Sequence, residues 1–387
     1  MAGGSKSLSW REALRYRIGF VGFVRFGHML RQLRHLRSVR PRYALRLLPL
    51  LATSLCITPL CWWEKARFGR QVAGVRLAHP PVFIIGHWRS GTTHLHNLMS
   101  QDETFGWLSM YQALAPECSR VGRGWLKKLL ARIVPAERPM DAMVWPMDAP
   151  QEDEIALAKM IPYSFYGWFV WPQRAASMLD RYVLLNAASP AMLDEFAGAY
   201  RRLLQSATLD AGGRQLLLKN PVNTARVRLV LEMFPDAKFI HIYRSPYDVY
   251  VSTVHLYEQM LRTLALQEVA PGFASEAALV IYEKVMRRFF EDRALVPPGN
   301  LAEVSYEALE RDPEGELRRI YETLGLSSYD AAAPAFRAYL ASLRSYRKNR
   351  FELPDDERRR VEEQWGFAFD ALGYARSADR APAEVAG

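Results

Sequence analysis

The chain has 387 residues, half of them hydrophobic and 24% charged, so it can bury the core of one large domain or two modest ones. Its 12% of aromatic residues argues against a globally disordered chain. The formal net charge of +10 favours an anionic partner, but charge alone does not choose between a nucleotide, a nucleic acid and a membrane. Cys56, Cys61 and Cys118 are too few and too irregularly spaced for a disulfide framework or a zinc site. We therefore expect either a reducing, cytoplasmic location or a chain that is indifferent to its redox environment.

Residues 1–75 are predicted to form a basic, helical N-terminal region. Glu12 is the only carboxylate before Glu64, whereas arginine recurs throughout, and residues 47–63 carry no charge. A membrane-spanning helix needs about 20 apolar residues, so this uncharged run, which also contains two prolines, is too short to span. Two interpretations stay open. Either the region makes a peripheral contact with an anionic membrane surface, or residues 47–63 pack on the rest of the chain.

From residue 76 onward, short apolar runs alternate with helical patterns. Strands are predicted at residues 82–85, 216–218, 239–243 and 301–304, and helices at residues 92–99, 225–233, 246–260 and 314–324. Because this alternation is typical of parallel strands joined by helices, the sequence predicts an α/β fold with a parallel sheet flanked by helices.

Composition subdivides this part of the chain further. Residues 76–350 are predicted to form the main domain. Within it, residues 107–209 are rich in Pro, Trp and Met and are expected to form a mainly helical insertion that caps the sheet edge. Residues 351–387 are predicted to form a C-terminal helix and a frayed tail beyond Tyr374.

The segment VFIIGHWRSGTT, residues 82–93, carries the strongest functional signal. Gly86 and Gly91 have the spacing of a phosphate-binding loop between a strand and a helix. Glycines let the backbone turn tightly, so that successive N–H groups point at an anion. The N-terminus of the following helix adds partial positive charge. The sequence therefore predicts a phosphate site.

Two departures separate this loop from that of nucleoside-triphosphatases. Those proteins place a lysine after the second glycine, whereas here Thr92 and Thr93 follow and the cation, Arg89, lies inside the loop. They also hold magnesium with an aspartate after another strand, whereas here the strand at residues 239–243 is followed by Arg244. Both differences predict an anionic nucleotide that is bound without a metal.

At these residues the chain resembles the sulfotransferases that use 3′-phosphoadenosine 5′-phosphosulfate (PAPS), and it is most similar to their bacterial-type branch. The run Arg89-Ser90-Gly91-Thr92-Thr93 matches the first motif of that family, and Arg244 with Ser252 matches the second. The resemblance spans about residues 81–348 and implies a P-loop-like fold with PAPS as the sulfate donor. The donor-binding residues that it implies or brings near the loop are Arg89, Ser90, Gly91, Thr92, Thr93, His94, Arg244, Ser252, Tyr306, Arg347 and Lys348.

The last three of these residues belong to weaker matches. Tyr306 and the glutamate after it resemble a Tyr-Glu pair that the family places near the adenine. Arg347 and Lys348 resemble a closing Arg-Lys-Gly strip on the 3′-phosphate, but Asn349 replaces the glycine.

The resemblance also implies an in-line displacement at sulfur. Arg89 and Lys219 are the candidates for stabilising the leaving phosphate. The alternative for Lys219 is a solvated lysine at the start of a loop. Where cytosolic members of the family carry a histidine base, this chain has Pro221, so Glu152 and Glu154 become the candidate general bases. The alternative for both glutamates is an acidic helix N-terminus.

Further alternatives concern the base, the acceptor and the reaction. His87, His94 and His96 lie at the loop and stay open as bases. The acceptor is expected to be a hydroxyl or amine of a lipid-like or carbohydrate molecule, and no nucleic acid is expected as a partner. The aromatic residues 163–171 either line the acceptor site or pack inside the cap. The rival function is a P-loop kinase or another nucleotide-binding phosphotransferase.

Overall fold

The computed structural model describes residues 9–33, 39, 41–135, 146–343 and 353–376. At the centre of this part lies a five-stranded sheet in the order β2-β3-β1-β4-β5, in which all neighbouring strands run parallel. The strands are β1 (Val82–Ile85), β2 (Phe105–Gly106), β3 (Gln215–Lys219), β4 (Lys238–Tyr243) and β5 (Leu301–Ser305). The predicted α/β fold with a P-loop-like parallel sheet is confirmed.

The central strand β1 is buried on both faces. Phe83 and Ile85 pack into the larger hydrophobic cluster on one face, and Val82 and Ile84 pack into a second cluster on the other. This burial explains why the strand is a continuous apolar run rather than an alternating one. Because β3 and β4 flank β1, the segments that follow these three strands emerge at the same edge of the sheet.

The four predicted strands are present to within one or two residues at each end. The sequence missed β2, which has only two residues and is too short to show a pattern. The four predicted helices are also present, as α5 (Thr92–Met99), α11 (Val227–Met233), α12 (Pro246–Leu264) and α15 (Pro313–Thr323). The structure adds α13 (Phe273–Asp292), α14 (Tyr306–Arg311) and α16 (Tyr329–Ser342), which the sequence did not predict, and α17 (Asp355–Leu372) follows them.

The insertion between β2 and β3 is helical, as expected. It contains α6 (Met110–Leu114), α7 (Trp125–Ile133), α8 (Asp153–Met160), α9 (Ala175–Met178) and α10 (Pro190–Asp210), with a short 3-10 turn at Phe165–Phe169. The longest of these helices, α10, lies against the sheet, where the ring of Tyr200 contacts that of Phe83. The insertion therefore covers one face of the sheet in the region of β1 and β3.

The N-terminal region folds into α1 (Trp10–Val21), α2 (Phe26–Gln32), α3 (Pro41–Ala44) and α4 (Leu48–Ala73). No helix in the described ranges is both long and apolar enough to cross a membrane. One face of α4 is buried through Leu50 and Ile57. The Arg17 guanidinium donates to the carbonyl of Thr263 at 2.6 Å. On these contacts the region packs on the rest of the chain, while the other face of α4 stays exposed.

Candidate functional site

The loop after β1 has a backbone that requires its two glycines. Gly86 has a φ of 143°, and a Cβ atom there would lie 2.1 Å from the carbonyl oxygen of Ile242. Gly91 has a φ of 97°, and its Cβ atom would lie 2.4 Å from the Tyr306 ring. Arg89 adopts a φ of 70° although it is not a glycine. Conformations of this kind are costly and concentrate at functional sites.

The N-terminus of α5 faces this loop. Gly91 is the N-cap residue, and it provides no side-chain hydrogen bond to the first turn of the helix. The first N–H groups of a helix lack intrahelical acceptors and carry partial positive charge. Together with the Arg89 side chain, they form a cradle whose chemistry fits a phosphate or sulfate group.

The two motifs expected to hold the donor meet in space. Arg89 Nε donates to the Ser252 hydroxyl at 2.7 Å, across 163 residues of sequence. The Arg244 guanidinium lies 4.8 Å from the centroid of the Tyr306 ring and forms an ion pair with Asp248 at 2.8 Å. The edge of His94 faces the same tyrosine ring. The predicted donor-binding residues that follow β1, β4 and β5 therefore cluster around one loop.

A lysine and a glutamate lie next to the loop. Lys219, the last residue of β3, has its Nζ atom 2.5 Å from Glu152 Oε1 and 3.3 Å from the hydroxyl of Thr93. The Lys219 side chain is 2% exposed and that of Glu152 is 11% exposed. A cation and a carboxylate thus meet at the start of α5, shielded from most of the solvent, where their electrostatic effects are strong.

Glu152 is held on its other oxygen by a tyrosine that the sequence did not single out. The Tyr166 hydroxyl donates to Glu152 Oε2, and Trp88 Nε1 donates to the Tyr166 oxygen at 2.9 Å. Burial, reinforced by the Glu152 charge, raises the pKa of Tyr166 well above its usual value, so the phenol stays protonated and donates. The only sequence signal was indirect, because Trp88 lies inside the loop motif and Tyr166 inside the aromatic stretch.

Glu154 lies in a different environment from Glu152. It forms an ion pair with Arg226 at 2.8 Å, and both side chains are fully buried. The Ser164 hydroxyl and the Asn220 amide also donate to it, at 2.8 Å and 3.1 Å. Both of its oxygens are therefore occupied by partners from within the cap and the sheet edge.

Asp153, between the two glutamates, points into the protein. The Tyr200 hydroxyl donates to its Oδ2 atom at 2.7 Å. Burial raises the pKa of Asp153 to about 8, so this carboxyl carries a proton at neutral pH.

Two of the three histidines near the loop are buried and neutral. Burial lowers the pKa of His87 and of His96 to about 3. His87 packs between the rings of Trp88 and Tyr282, and His96 contacts the carbonyl of Leu217. These environments favour packing over proton transfer for both residues.

The aromatic stretch at residues 163–171 lies mostly inside the cap. Phe165 and Trp168 are fully buried, and Trp168 packs against the ring of Tyr257. Of the two alternatives left open by the sequence, these residues favour core packing, and Tyr166 connects that core to Glu152. Arg347 and Lys348 lie outside the described residues. Within the described ranges, no group of three or more His, Cys, Asp or Glu side chains could hold a metal ion.

Comparison with known proteins identifies the relatives of the chain. Residues 80–331 match the model of a family described as the sulfotransferase family. The omega-hydroxy-beta-dihydromenaquinone-9 sulfotransferase Stf3 of Mycobacterium bovis is 36% identical over 314 residues, which cover 81% of this chain and 80% of that protein. The protein of the same name from Mycobacterium tuberculosis matches equally well.

Two solved structures share the fold. Sulfotransferase STF1 from Mycobacterium tuberculosis aligns with a TM-score of 0.60 at 18% identity, over 92% of this chain and 93% of that one. Sulfotransferase STF9 from Mycobacterium avium aligns with a TM-score of 0.66 at 19% identity, over 96% of this chain and 93% of that one. With the family model matching most of its length and a relative 36% identical to it, the chain belongs to the sulfotransferase family.

Proposed function

We propose that the chain transfers the sulfuryl group of PAPS to the hydroxyl group of a lipid-like alcohol. The observation that carries this proposal is the meeting of Arg89, Lys219 and Glu152 at one phosphate-binding loop. A loop alone would bind an anion. A cation and a nearly buried carboxylate beside it supply what group transfer requires.

The donor groups are assigned to these residues from the resemblance to the family, and the positive charges of Arg89 and Arg244 agree with it. The first turn of α5 and Arg89 suit the 5′-phosphosulfate, while Arg244 and Ser252 suit the 3′-phosphate. Tyr306, which packs on Gly91, suits the adenine side. Arg244 follows β4, where a magnesium-dependent enzyme would need a carboxylate, and this supports donor binding without a metal.

The reaction is an in-line displacement at sulfur. The acceptor oxygen attacks the sulfur while Glu152 takes the hydroxyl proton, and the bond between sulfur and the bridging oxygen breaks. The electron pair of that bond stays with the departing 5′-phosphate, whose added negative charge Lys219 and Arg89 stabilise. We assign the base to Glu152 rather than Glu154, because Glu152 meets Lys219 beside the start of α5 and keeps some exposure, whereas Glu154 is fully buried against Arg226.

The acceptor class rests on the relatives. The name of Stf3 specifies a hydroxylated menaquinone, a lipid with a long apolar tail. We infer a hydrophobic alcohol for this chain too, with carbohydrate as the alternative to be tested. We also propose a cytoplasmic location for the chain, as expected from its sequence.

The decisive experiment pairs donor binding with turnover. Arg89→Ala should weaken PAPS binding in calorimetry at least about tenfold, because charged hydrogen bonds to the phosphate are lost. Glu152→Gln should bind PAPS like the wild type but transfer labelled sulfate about 100-fold to 10,000-fold more slowly. The exposed Arg262→Ala and Glu258→Gln, both on α12, are matched controls that should change neither quantity.

Three results would contradict the proposal. Unchanged PAPS affinity in Arg89→Ala would contradict the assignment of the donor site. Wild-type turnover in Glu152→Gln would contradict the assignment of Glu152 as the base. Magnesium-dependent binding of ATP without binding of PAPS would favour the rival kinase. The same transfer assay, run on pools of isoprenoid alcohols, carbohydrates and phenols, assigns the acceptor.

A further inference from the structure

We propose that the outward faces of α4 and α7 form a surface that docks this protein on an anionic lipid membrane. This docking surface consists of Leu45, Leu48, Leu55, Trp62, Trp63, Trp125 and Leu129 with the basic residues around them. The proposal does not depend on the acceptor, because it concerns the outside of the N-terminal region and the cap.

One face of α4 presents apolar side chains to solvent along most of its length. Leu48, Leu55 and Trp62 follow each other at intervals of seven residues, so they lie on nearly the same line along the helix. They are 59%, 55% and 62% exposed. The buried residues Leu50 and Ile57 occupy the opposite face, which holds the helix on the domain. The orientation of α4 is therefore fixed, and its apolar stripe faces outward.

Helix α7 extends this surface. Trp125 and Leu129 are 51% and 41% exposed, whereas Leu126 and Leu130 are buried. Those two leucines belong to the same hydrophobic cluster as Ile57 of α4. The two helices thus share one buried cluster and carry their exposed apolar residues on the side away from it.

The turn that precedes α7 is tied to α4 by a buried carboxylate. Glu64 accepts hydrogen bonds from the backbone N–H groups of Arg120 and Val121, both at 2.9 Å.

Seven of the twelve large hydrophobic side chains that are exposed in the described part of the chain lie on α4, on α7 or in the turn before α4. The apolar exposure is therefore concentrated rather than scattered, as is typical of an interaction site.

The charges around the docking surface indicate which kind of partner it binds. Glu64 is the only carboxylate between residues 45 and 73, and it is engaged in the interior; residues 121–134 contain none. Exposed basic residues lie close in sequence to the tryptophans and Leu129 of this surface, namely Lys65, Arg67, Arg70, Lys128 and Arg132. A second copy of the chain would bring a like-charged rim against this one, which is unfavourable. Tryptophan and leucine flanked by lysine and arginine suit the interface of an anionic bilayer.

This docking surface is connected to the proposed active site through α1. Lys159 of α8 donates to the carbonyls of Gly19 and Gly22 at the end of α1, at 3.0 Å and 2.6 Å. Phe20 of α1 stacks on Tyr166, which holds Glu152. The helical layer that would contact the membrane therefore packs directly on the residues around the candidate base.

The test is cosedimentation of the full chain with lipid vesicles. The wild type should bind vesicles that contain phosphatidylglycerol much more strongly than vesicles of phosphatidylcholine alone, and salt should weaken the binding. Trp62→Ser with Trp63→Ser should weaken binding at least about tenfold. Val280→Ser with Leu295→Ser, two exposed apolar residues away from α4 and α7, is the matched control and should bind like the wild type.

The outcomes that overturn the proposal are equally definite. They are no vesicle binding by the wild type, equal binding to both vesicle types, or full binding by the tryptophan variant. A wild-type dimer in analytical ultracentrifugation that is absent in the tryptophan variant would assign the surface to a second copy instead.

Near-ultraviolet circular dichroism checks that the variants are folded. If the tryptophan variant is misfolded, Lys65→Glu with Arg67→Glu tests the same surface through its charge. Donor binding is a separate measurement, so failure here is distinguishable from failure of the proposed function.

Discussion

Three consecutive carboxylates at residues 152–154 have three different environments. Glu152 faces Lys219 and the loop, Asp153 is buried against Tyr200, and Glu154 is paired with Arg226 in the interior. The difference arises because Glu152 precedes α8 with an extended backbone, whereas Asp153 and Glu154 lie in the helix, where successive side chains point about 100° apart. Only one of the three can then face the phosphate-binding loop.

Tyr166 provides a test of how Glu152 is positioned. Tyr166→Phe removes the donor to Glu152 but keeps the ring that stacks on Phe20. We expect kcat to fall about tenfold with little change in KM, because a hydrogen bond to a charged group is lost. The acidic limb of the pH profile of kcat should move to higher pH, since this donor favours the charged carboxylate.

The matched control for that variant is Tyr257→Phe. Tyr257 is also buried in the aromatic core, but its hydroxyl has no hydrogen-bond partner in the described part of the chain. If Tyr166→Phe and Tyr257→Phe give the same small loss and the same pH profile, Tyr166 is a packing residue.

At the scale of elements, α8 joins the site to the N-terminal region. Its first turn follows Glu152, and Lys159 in its last turn binds carbonyls at the end of α1. A buried ammonium without such partners would be costly. The helix therefore depends on α1 at one end and on the sheet edge at the other.

Asp153 within α8 predicts how stability depends on pH. Burial raises its pKa to about 8 in the folded state, whereas in an unfolded chain the pKa is about 4. Between these values the folded state holds a proton that the unfolded state releases. The contribution is therefore fully present below about pH 4 and is lost as the pH rises toward 8, by up to about 1.4 kcal/mol per pH unit.

Asp153→Asn isolates this effect. The variant keeps a side-chain oxygen for Tyr200 but does not titrate, so its free energy of unfolding should fall less than that of the wild type between pH 5 and pH 8. Urea denaturation at several pH values measures the difference. Parallel stability curves for the two proteins would mean that Asp153 is ionised when folded.

At the scale of the whole molecule, the N-terminal helices are part of the folded unit. Arg31 pairs with Glu195 of α10 at 2.5 Å, and Arg46 donates to the Ala265 carbonyl at 3.0 Å. Several arginines that make the region basic are therefore used to attach it. This leaves the exposed faces of α4 and α7, rather than the arginine-rich segment as a whole, as the surface for a membrane.

Deleting residues 1–63 should abolish cooperative folding rather than release an active core. The deletion would remove the Phe20 ring that stacks on Tyr166 and the carbonyl groups that accept from Lys159. It would also expose the hydrophobic cluster that contains Leu126 and Leu130. Thermal unfolding followed by circular dichroism measures this. Trp62→Ser, on the exposed face of α4, should leave the transition within a few degrees of the wild type, because surface substitutions usually change stability little. A sharp, wild-type-like transition in the deleted chain would show that the region is dispensable.

The sequence by itself determined the succession of strand, loop and helix at residues 82–99. It also determined most of the candidate donor site. Gly86, Gly91 and Arg89 act through local backbone geometry, which is encoded within a dozen residues. The β1, β3, β4 and β5 strands were predictable because a buried parallel strand is an apolar run bounded by turns.

Only the tertiary structure decided which acidic residue meets Lys219, which histidines are neutral and which face of α4 is buried. Each of these depends on contacts between distant segments, such as Lys219 with Glu152, 67 residues apart, or Arg17 with Thr263, 246 residues apart. Burial and the pairing of charges are properties of the packed chain. A local pattern can place a carboxylate at a helix start, but only the surrounding elements decide whether it faces a lysine, a tyrosine or an arginine.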